Sequence, residues 1–215
     1  MGFSITTYDY IQYLKQAYLK IHEQREYITE LDSATGDGDH WINLNMGFEK
    51  LVEMADELEQ LSLSEAFMKT GMTMMSVTGG SSGVLYGSAY MEAAKVVKGN
   101  DTLTNEGLCN VLCAMLEGIM SRGKSKPGDK TMVDTLYPAA TTYRKCIAEN
   151  KSEAETLSLV KKASMEGALN TKDMEALRGR AYYQSNRGVG HIDPGAVTLS
   201  YQIETLMDFI SEKLI

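Results

Sequence analysis

Apolar residues recur along this chain at intervals of three, four or seven. Ile11, Leu14, Tyr18, Ile21 and Ile28 do so towards one end, and Leu199, Ile203, Leu206, Ile210 and Leu214 towards the other. That spacing places side chains on one face of an α-helix, so both ends read as amphipathic helices. Between them the same pattern predicts helices near 43–60, 64–76, 83–98, 104–121, 131–149 and 152–169, with a short one after Thr171. No stretch alternates apolar and polar residues as a half-buried strand would. The three prolines fall at edges: Pro127 in a turn, Pro138 early in a helix or kinking it, and Pro194 directly after Asp193. The reading is one all-α domain over residues 1–215, built from about eight helices.

Most glycines outside those helices gather in four loops: TGDGDH at 35–40, TGGSSG at 78–83, SRGKSKPGDKT at 121–131 and NRGVGHIDPGA at 186–196. Antiparallel helices joined by loops place alternate loops at the same end of a bundle. Several of the four are therefore expected to meet around one site.

Composition narrows the choice of partner. A net charge of −8 speaks against unassisted nucleic-acid binding. No apolar run reaches the roughly 20 residues of a membrane-spanning helix, and no signal peptide is visible, so a cytoplasmic protein without a membrane partner is expected. The cysteines, Cys109, Cys113 and Cys146, have neither CxxC nor Cys-His zinc spacing and read as buried thiols of a reducing compartment.

Asp32, Asp37 and Asp39 crowd three carboxylates into eight positions around two glycines. Like charges so close repel unless a cation sits among them. Turn formation and helix capping would explain each aspartate singly but not the set. The spacing is not that of an EF-hand, and so few ligands suit Mg²⁺, which completes its shell with water and phosphate. GGSSG at 79–83 offers bare backbone N–H groups, two hydroxyls and a helix N-terminus, all suited to phosphate, though a plain flexible loop has the same composition.

Gly118–Ser125 satisfies GxxxxGK[ST] letter for letter. A phosphate-binding loop of that type follows a strand and opens a helix. Here the first half continues a helix, and Pro127-Gly128 interrupts any helix after it. The stretch is read instead as a basic connection in which Arg122, Lys124, Lys126 and Lys130 can face an anion. Asp193-Pro194 has the order of an N-cap and first-turn proline, and Arg180 is open between a surface ion pair and a phosphate clamp.

Asp32 followed by GDGDH with Asn43, then GGSSGVLYG, GDKTMVDTLYP, GRAYY and GHIDPGA, occur in that order over nearly the whole chain. Together they resemble the nucleotide-binding L subunit of the dihydroxyacetone kinase family. The resemblance implies an up-and-down barrel of about eight antiparallel amphipathic helices, with ADP and two Mg²⁺ ions at one end. It implies that Asp32, Asp37 and Asp39 hold the metals and that His40, Asn43, Ser81 and Ser82 lie against the phosphates. Gly123, Met132, Arg180, Asp193 and Gly195 would line the rest of the nucleotide site. No side chain is expected to become covalently modified; His40 is a phosphate contact or acid-base helper.

A free-standing chain of this kind resembles the phosphotransferase-system-dependent form. Its implied partners are a K-type subunit that holds dihydroxyacetone and an M-type phosphohistidine donor. Two alternatives stay open: an ATP-dependent kinase of another small polyol or ketose, and a nucleotide-loaded regulatory module without turnover. The chain departs from the family pattern at Trp41, where a glycine is usual, and at YQSNRGVG in place of YLGERSxG. The bulk of Trp41 at the mouth of a phosphate site is expected to reshape the docking or ligand-access surface.

Overall fold

The computed structural model describes residues 2–214. It contains helices α1 (Thr7–Glu23), α2 (Arg25–Thr35), α3 (His40–Glu53), α4 (Ala55–Leu58), α5 (Leu63–Val77), α6 (Gly80–Val96), α7 (Asn105–Gly123), α8 (Val133–Ala148), α9 (Glu153–Asn170) and α10 (Pro194–Lys213). Two 3₁₀ turns, Thr171–Asp173 and Arg180–Tyr183, lie between α9 and α10. Among the described residues the one β-type pairing is an isolated bridge between Ile5 and Leu103. No helix among the described residues is long and apolar enough to cross a membrane.

Side chains start several helices where the sequence supplies a cap. Thr6 with Asp9 and Ser62 with Glu65 form capping boxes, while Thr104 and Ser152 each accept a first-turn N–H. Asp193 caps α10 ahead of Pro194, as its sequence order predicts. Pro138 lies inside α8, in its second turn.

Eight long helices close a ring. α1 packs on α3, α3 on α5, and α5 through α10 each on the next, with α10 returning to α1. The apolar stripes face inward, burying Phe48, Tyr86 and Tyr143 completely. Near the crossing of α5 and α6 the backbones touch. A Cβ on Gly71 or on Gly87 would lie 2.8 Å from the other residue's carbonyl oxygen, so neither position admits a side chain without separating the helices.

Two helix starts differ from the periodicity reading by three residues. α3 begins at His40 rather than 43, and α6 at Gly80 rather than 83. The first turn of α6, Gly80-Ser81-Ser82, carries no apolar signal, whereas that of α3, His40-Trp41-Ile42, directly continues the glycine-rich GDGDH stretch and reads with it. The stretch 43–60 also breaks at Met54 to give the short α4.

Candidate functional site

The acidic cluster begins on the last turns of α2. Asp32 is buried there, and the chain then turns through Gly38, whose φ of +77° is a conformation that side-chain-bearing residues rarely adopt. This turn brings one carboxylate oxygen from each of Asp32, Asp37 and Asp39 within 4.8 Å of the others. Capping does not account for them, because Asp39 stands at the N-cap of α3 but makes no side-chain cap bond. Three carboxylates so placed form an all-oxygen donor set that fits a hard divalent cation. Arg180 supplies partial compensation, its guanidinium lying 2.6 Å from Asp37 Oδ2.

His40 is fixed from three sides. Its backbone N–H donates to Asp32 Oδ2 at 2.9 Å, Nε2 lies 2.9 Å from Thr198 Oγ1, and Nδ1 lies 3.2 Å from Ser82 Oγ. Thr198 donates its own hydroxyl proton to the Gly195 carbonyl. It therefore accepts from His40 Nε2–H, leaving Nδ1 to accept from Ser82. Burial holds the His40 pKa below its ordinary value, more than the nearby Asp32 and Asp39 charges raise it.

α6 opens without a side-chain cap. The N–H groups of its first turn, Gly80 to Ser82, are thus free to meet an anion at the positive end of the helix dipole. This turn faces a cleft of about 450 Å³, within the size range of small-molecule sites. Asp32, His40, Ser81 and Ser82 form one wall, Gly123 and Met132 another, and Asp193 and Gly195 a third. Arg122 and Arg178 contribute positive charge to the same cleft. Asp193 accepts from Ala196 N–H at 2.7 Å, and burial pushes its carboxyl up to about 6.

Residues 34–208 match the DAK2 domain model. The chain belongs to the DAK2 domain family. It is 40% identical to the ADP-binding subunit of PEP-dependent dihydroxyacetone kinase 1 of Listeria innocua, over 82% of this chain and 83% of that protein. It is 37% identical to the ADP-binding subunit of the PTS-dependent dihydroxyacetone kinase of Lactococcus lactis, over 94% of this chain and 96% of that one. The fold is similar to part of the crystal structure of the dihydroxyacetone kinase from C. freundii in complex with AMP-PNP and Mg²⁺. That match has a TM-score of 0.69 at 24% identity and covers 92% of this chain and 33% of the other.

Within this DAK2 domain the glycine-rich loops do converge. Residues from 35–40, 78–83, 121–131 and 186–196 all line the cleft or adjoin it. Asn43 is set back from the cleft, its side chain occupying the space where a Cβ on Gly79 would stand. Arg180 is engaged with Asp37 rather than lining the cleft.

Two expectations need correction. Trp41 is not at the mouth: it is buried between α1 and α3, with Nε1–H donating to the Ile21 carbonyl and the Arg25 guanidinium 4.8 Å above its ring. The indole is the larger part of an apolar helix face, and that face turns into the core. Lys130 is not a free cation, because its buried ammonium donates to the Thr171 and His191 carbonyls and so fastens the 171–191 segment. The rejection of the GxxxxGK[ST] match agrees with the structure: Lys124 is exposed and ends α7 in a left-handed conformation, and Gly118 lies inside that helix, so the match has no phosphate-loop context.

Sequence reasoning missed Thr198 and Arg178. Thr198 meets His40 across 158 residues, and Arg178 holds the Lys124 carbonyl with Nε at 2.9 Å and Nη2 at 2.7 Å. Neither sits in a recognisable motif; only the helical phase of Thr198 after the Asp193 cap gave any signal.

Proposed function

We propose that this DAK2 domain is the ADP- and Mg²⁺-binding phosphoryl-transfer subunit of a phosphotransferase-system-dependent dihydroxyacetone kinase. One observation carries the reading: the cleft at the uncapped N-terminus of α6 is also lined by Asp32, one of three carboxylates that come within 4.8 Å of one another. A nucleoside diphosphate with divalent cations satisfies both halves, the cations meeting the carboxylates and the phosphates meeting the N–H groups. The near full-length match to two proteins named as ADP-binding subunits supports it.

In this reading Asp32, Asp37 and Asp39 hold two Mg²⁺ ions. When bound, these would neutralise charge spreading over a transferring phosphoryl group. Ser81, Ser82 and the first-turn N–H groups of α6 orient the phosphates. His40, neutral and tethered, contacts phosphate without forming a covalent intermediate. Met132, Gly123 and Gly195 leave room for the rest of the nucleotide, and Arg122 adds a positive charge at the rim.

The phosphoryl group would come from an M-type phosphohistidine protein and pass to dihydroxyacetone, or a related small ketose, on a K-type subunit. The chain's three histidines support the need for that second subunit. His40 is held by Asp32, Ser82 and Thr198, His22 on α1 pairs with Asn45 of α3, and His191 falls within the GHIDPGA motif at the start of α10. The test is a coupled assay for phosphorylated ketose across the four combinations of K-type and M-type proteins, and with ATP alone. Product is expected only with both proteins present. Product from ATP and this chain alone would establish a free kinase. Bound nucleotide without product in any combination would establish a regulatory module.

A further inference from the structure

Residues 171–191 have almost no apolar core of their own. Leu177, Tyr182, Tyr183 and Val189 are exposed, and Ala176 is the one buried apolar side chain. A segment that buries so little needs polar contacts to stay ordered. What it closes over is a lysine.

Lys130 is 2% exposed, and its ammonium donates to the carbonyls of Thr171 and His191, the two ends of the segment. A Cβ on Gly188, where φ is +70°, would lie 3.1 Å from Lys130 Cε, so the chain also packs on the lysine stem. The Asp129 carbonyl accepts from Leu177 N–H at 3.1 Å. Two consecutive residues, Asp129 and Lys130, therefore hold the segment at positions 171, 177, 188 and 191. Burial lowers the Lys130 pKa, and the Asp193, Asp173 and Asp134 charges partly offset it.

Within the segment the backbone closes on itself. Ala176 N–H donates to the Arg187 carbonyl at 2.9 Å, and Gly190 N–H to the Lys172 carbonyl at 2.8 Å. From this frame Arg178 reaches the Lys124 carbonyl beside the cleft, and Arg180 reaches Asp37 of the acidic cluster. Both arginines are exposed, with no apolar packing to place them, so their positions depend on the frame. Lys130 also borders the cleft, but two of its three N–H groups are spent on carbonyls.

We propose that Lys130 is a positioning residue of the anion site: segment 171–191 folds round its ammonium, which thereby places Arg178 and Arg180 without itself meeting the ligand. The effect of this placement on MgADP rests on the function proposed above, whereas the folding of the segment round Lys130 does not.

The test is hydrogen exchange on the folded full chain and on Lys130→Met, which keeps the stem and removes the ammonium. In wild type the amides of Ala176, Leu177 and Gly190 should exchange through one common opening. In the variant they should exchange about a hundredfold faster, at about tenfold for each lost charge-assisted hydrogen bond. The Arg178 Nε–H, bonded to the Lys124 carbonyl, should be a protected NMR signal in wild type and lose that protection in the variant. MgADP affinity then separates positioning from contact. Arg178→Gln combined with Arg180→Gln should weaken binding about tenfold or more. Adding this pair to Lys130→Met should cost nothing further, because the arginines are already displaced. Independent exchange of the three wild-type amides would overturn the proposal, and that measurement does not require the variant to fold. Unchanged exchange in Lys130→Met, no loss from the arginine pair, or a triple variant whose loss is the product of the two would each overturn it as well. A wild type that binds no MgADP would count against the proposed function and leave the exchange and Arg178 signals to decide this one.

Discussion

The indole N–H of Trp41 donates to the backbone carbonyl of Ile21 at 3.0 Å. That carbonyl lies where α1 ends at Glu23 and α2 restarts at Arg25, and its one backbone partner is a 3.3 Å bond from Gln24 N–H. Trp41 thus braces the break that redirects the chain towards Asp32. Replacing it with Phe keeps most of the ring but leaves that carbonyl with only its long bond from Gln24 N–H, at a cost of about 1 kcal/mol. Trp41→Gly, which restores the family residue, leaves a large cavity beside α1 and should cost about 4 kcal/mol or more. Urea unfolding checks both values. ADP affinity should stay near wild type for the Phe variant, because Trp41 does not line the cleft; a large loss would return the indole to the site.

Asp39 separates metal binding from folding. Its side chain makes no cap bond, yet it lies within 4.8 Å of two other carboxylates. Asp39→Asn should leave the unliganded melting temperature unchanged or slightly raised, because it relieves repulsion without removing a contact. A ligand at about a thousand times its dissociation constant adds roughly 4 kcal/mol of stability. Wild type should gain an upshift of that order with MgADP, and the variant should lose most of it. EDTA should produce the same loss in wild type. An equal MgADP shift in both proteins would remove Asp39 from the metal site.

Lys124 decides the GxxxxGK[ST] match. It caps α7 at φ +48°, with an exposed side chain and a carbonyl held by Arg178. Lys124→Gly keeps that carbonyl and relieves the left-handed strain, so stability should rise by about 0.5–1 kcal/mol. ADP affinity by calorimetry should change less than threefold. A phosphate-loop lysine would show the opposite, with affinity lost as severely as in Asp39→Asn.

The ring of helices is legible because each long helix carries its own apolar stripe at helical spacing, as Leu199 to Leu214 does on α10. The site is legible through local motifs such as GDGDH and GGSSG, whose residues are neighbours in sequence and act together. The features that escape such a reading depend on tertiary contact. Thr198 reaches His40 only once α10 packs into the ring, and Lys130 is drawn from a basic loop onto two carbonyls that the 171–191 segment presents. Trp41 escapes it for a related reason: its neighbours His40 and Asn43 face the site end, but a helix turns 100° per residue and sends position 41 inward.

Asp9 links the start of α1 to the end of α10. Its carboxylate accepts from Thr6 N–H at 2.9 Å and Thr6 Oγ–H at 2.8 Å, and pairs with Lys213 at 2.6 Å. Burial raises its pKa, but the Lys213 and Thr6 bonds outweigh it and hold the group below the usual carboxylate range. A depressed folded pKa gives stability that is present above the unfolded value of about 4 and lost as pH falls through the folded one. Asp9→Asn should therefore cost about 1–2 kcal/mol at pH 7. The gap from wild type should close as both are titrated below pH 4. A gap that persists at low pH would mean that packing, not charge, is what Asp9 contributes.

His40 should titrate below its ordinary value of about 6.5. The hydrogen bonds explain the sign. Thr198 spends its proton on the Gly195 carbonyl, so His40 Nε2–H donates to it and Nδ1 accepts from Ser82. Adding a proton at Nδ1 sets two donors against each other and forces the Ser82 hydroxyl to turn away, while burial also disfavours the charged ring. Because the folded pKa is depressed, the stability this arrangement contributes is full above the unfolded value and declines as pH falls through about 6.5 towards the folded one. An imidazole titration followed by NMR on the metal-free protein should show the His40 midpoint below 6.5. The stability advantage of wild type over His40→Gln should shrink between pH 7 and pH 5. Thr198→Val removes the acceptor of Nε2–H and should broaden or shift the His40 signals more than Ser200→Ala, a substitution two residues along α10 whose hydroxyl bonds the Val197 carbonyl. A midpoint above 6.5 would mean that the carboxylates of Asp32 and Asp39 outweigh burial, and that His40 meets phosphate as a cation.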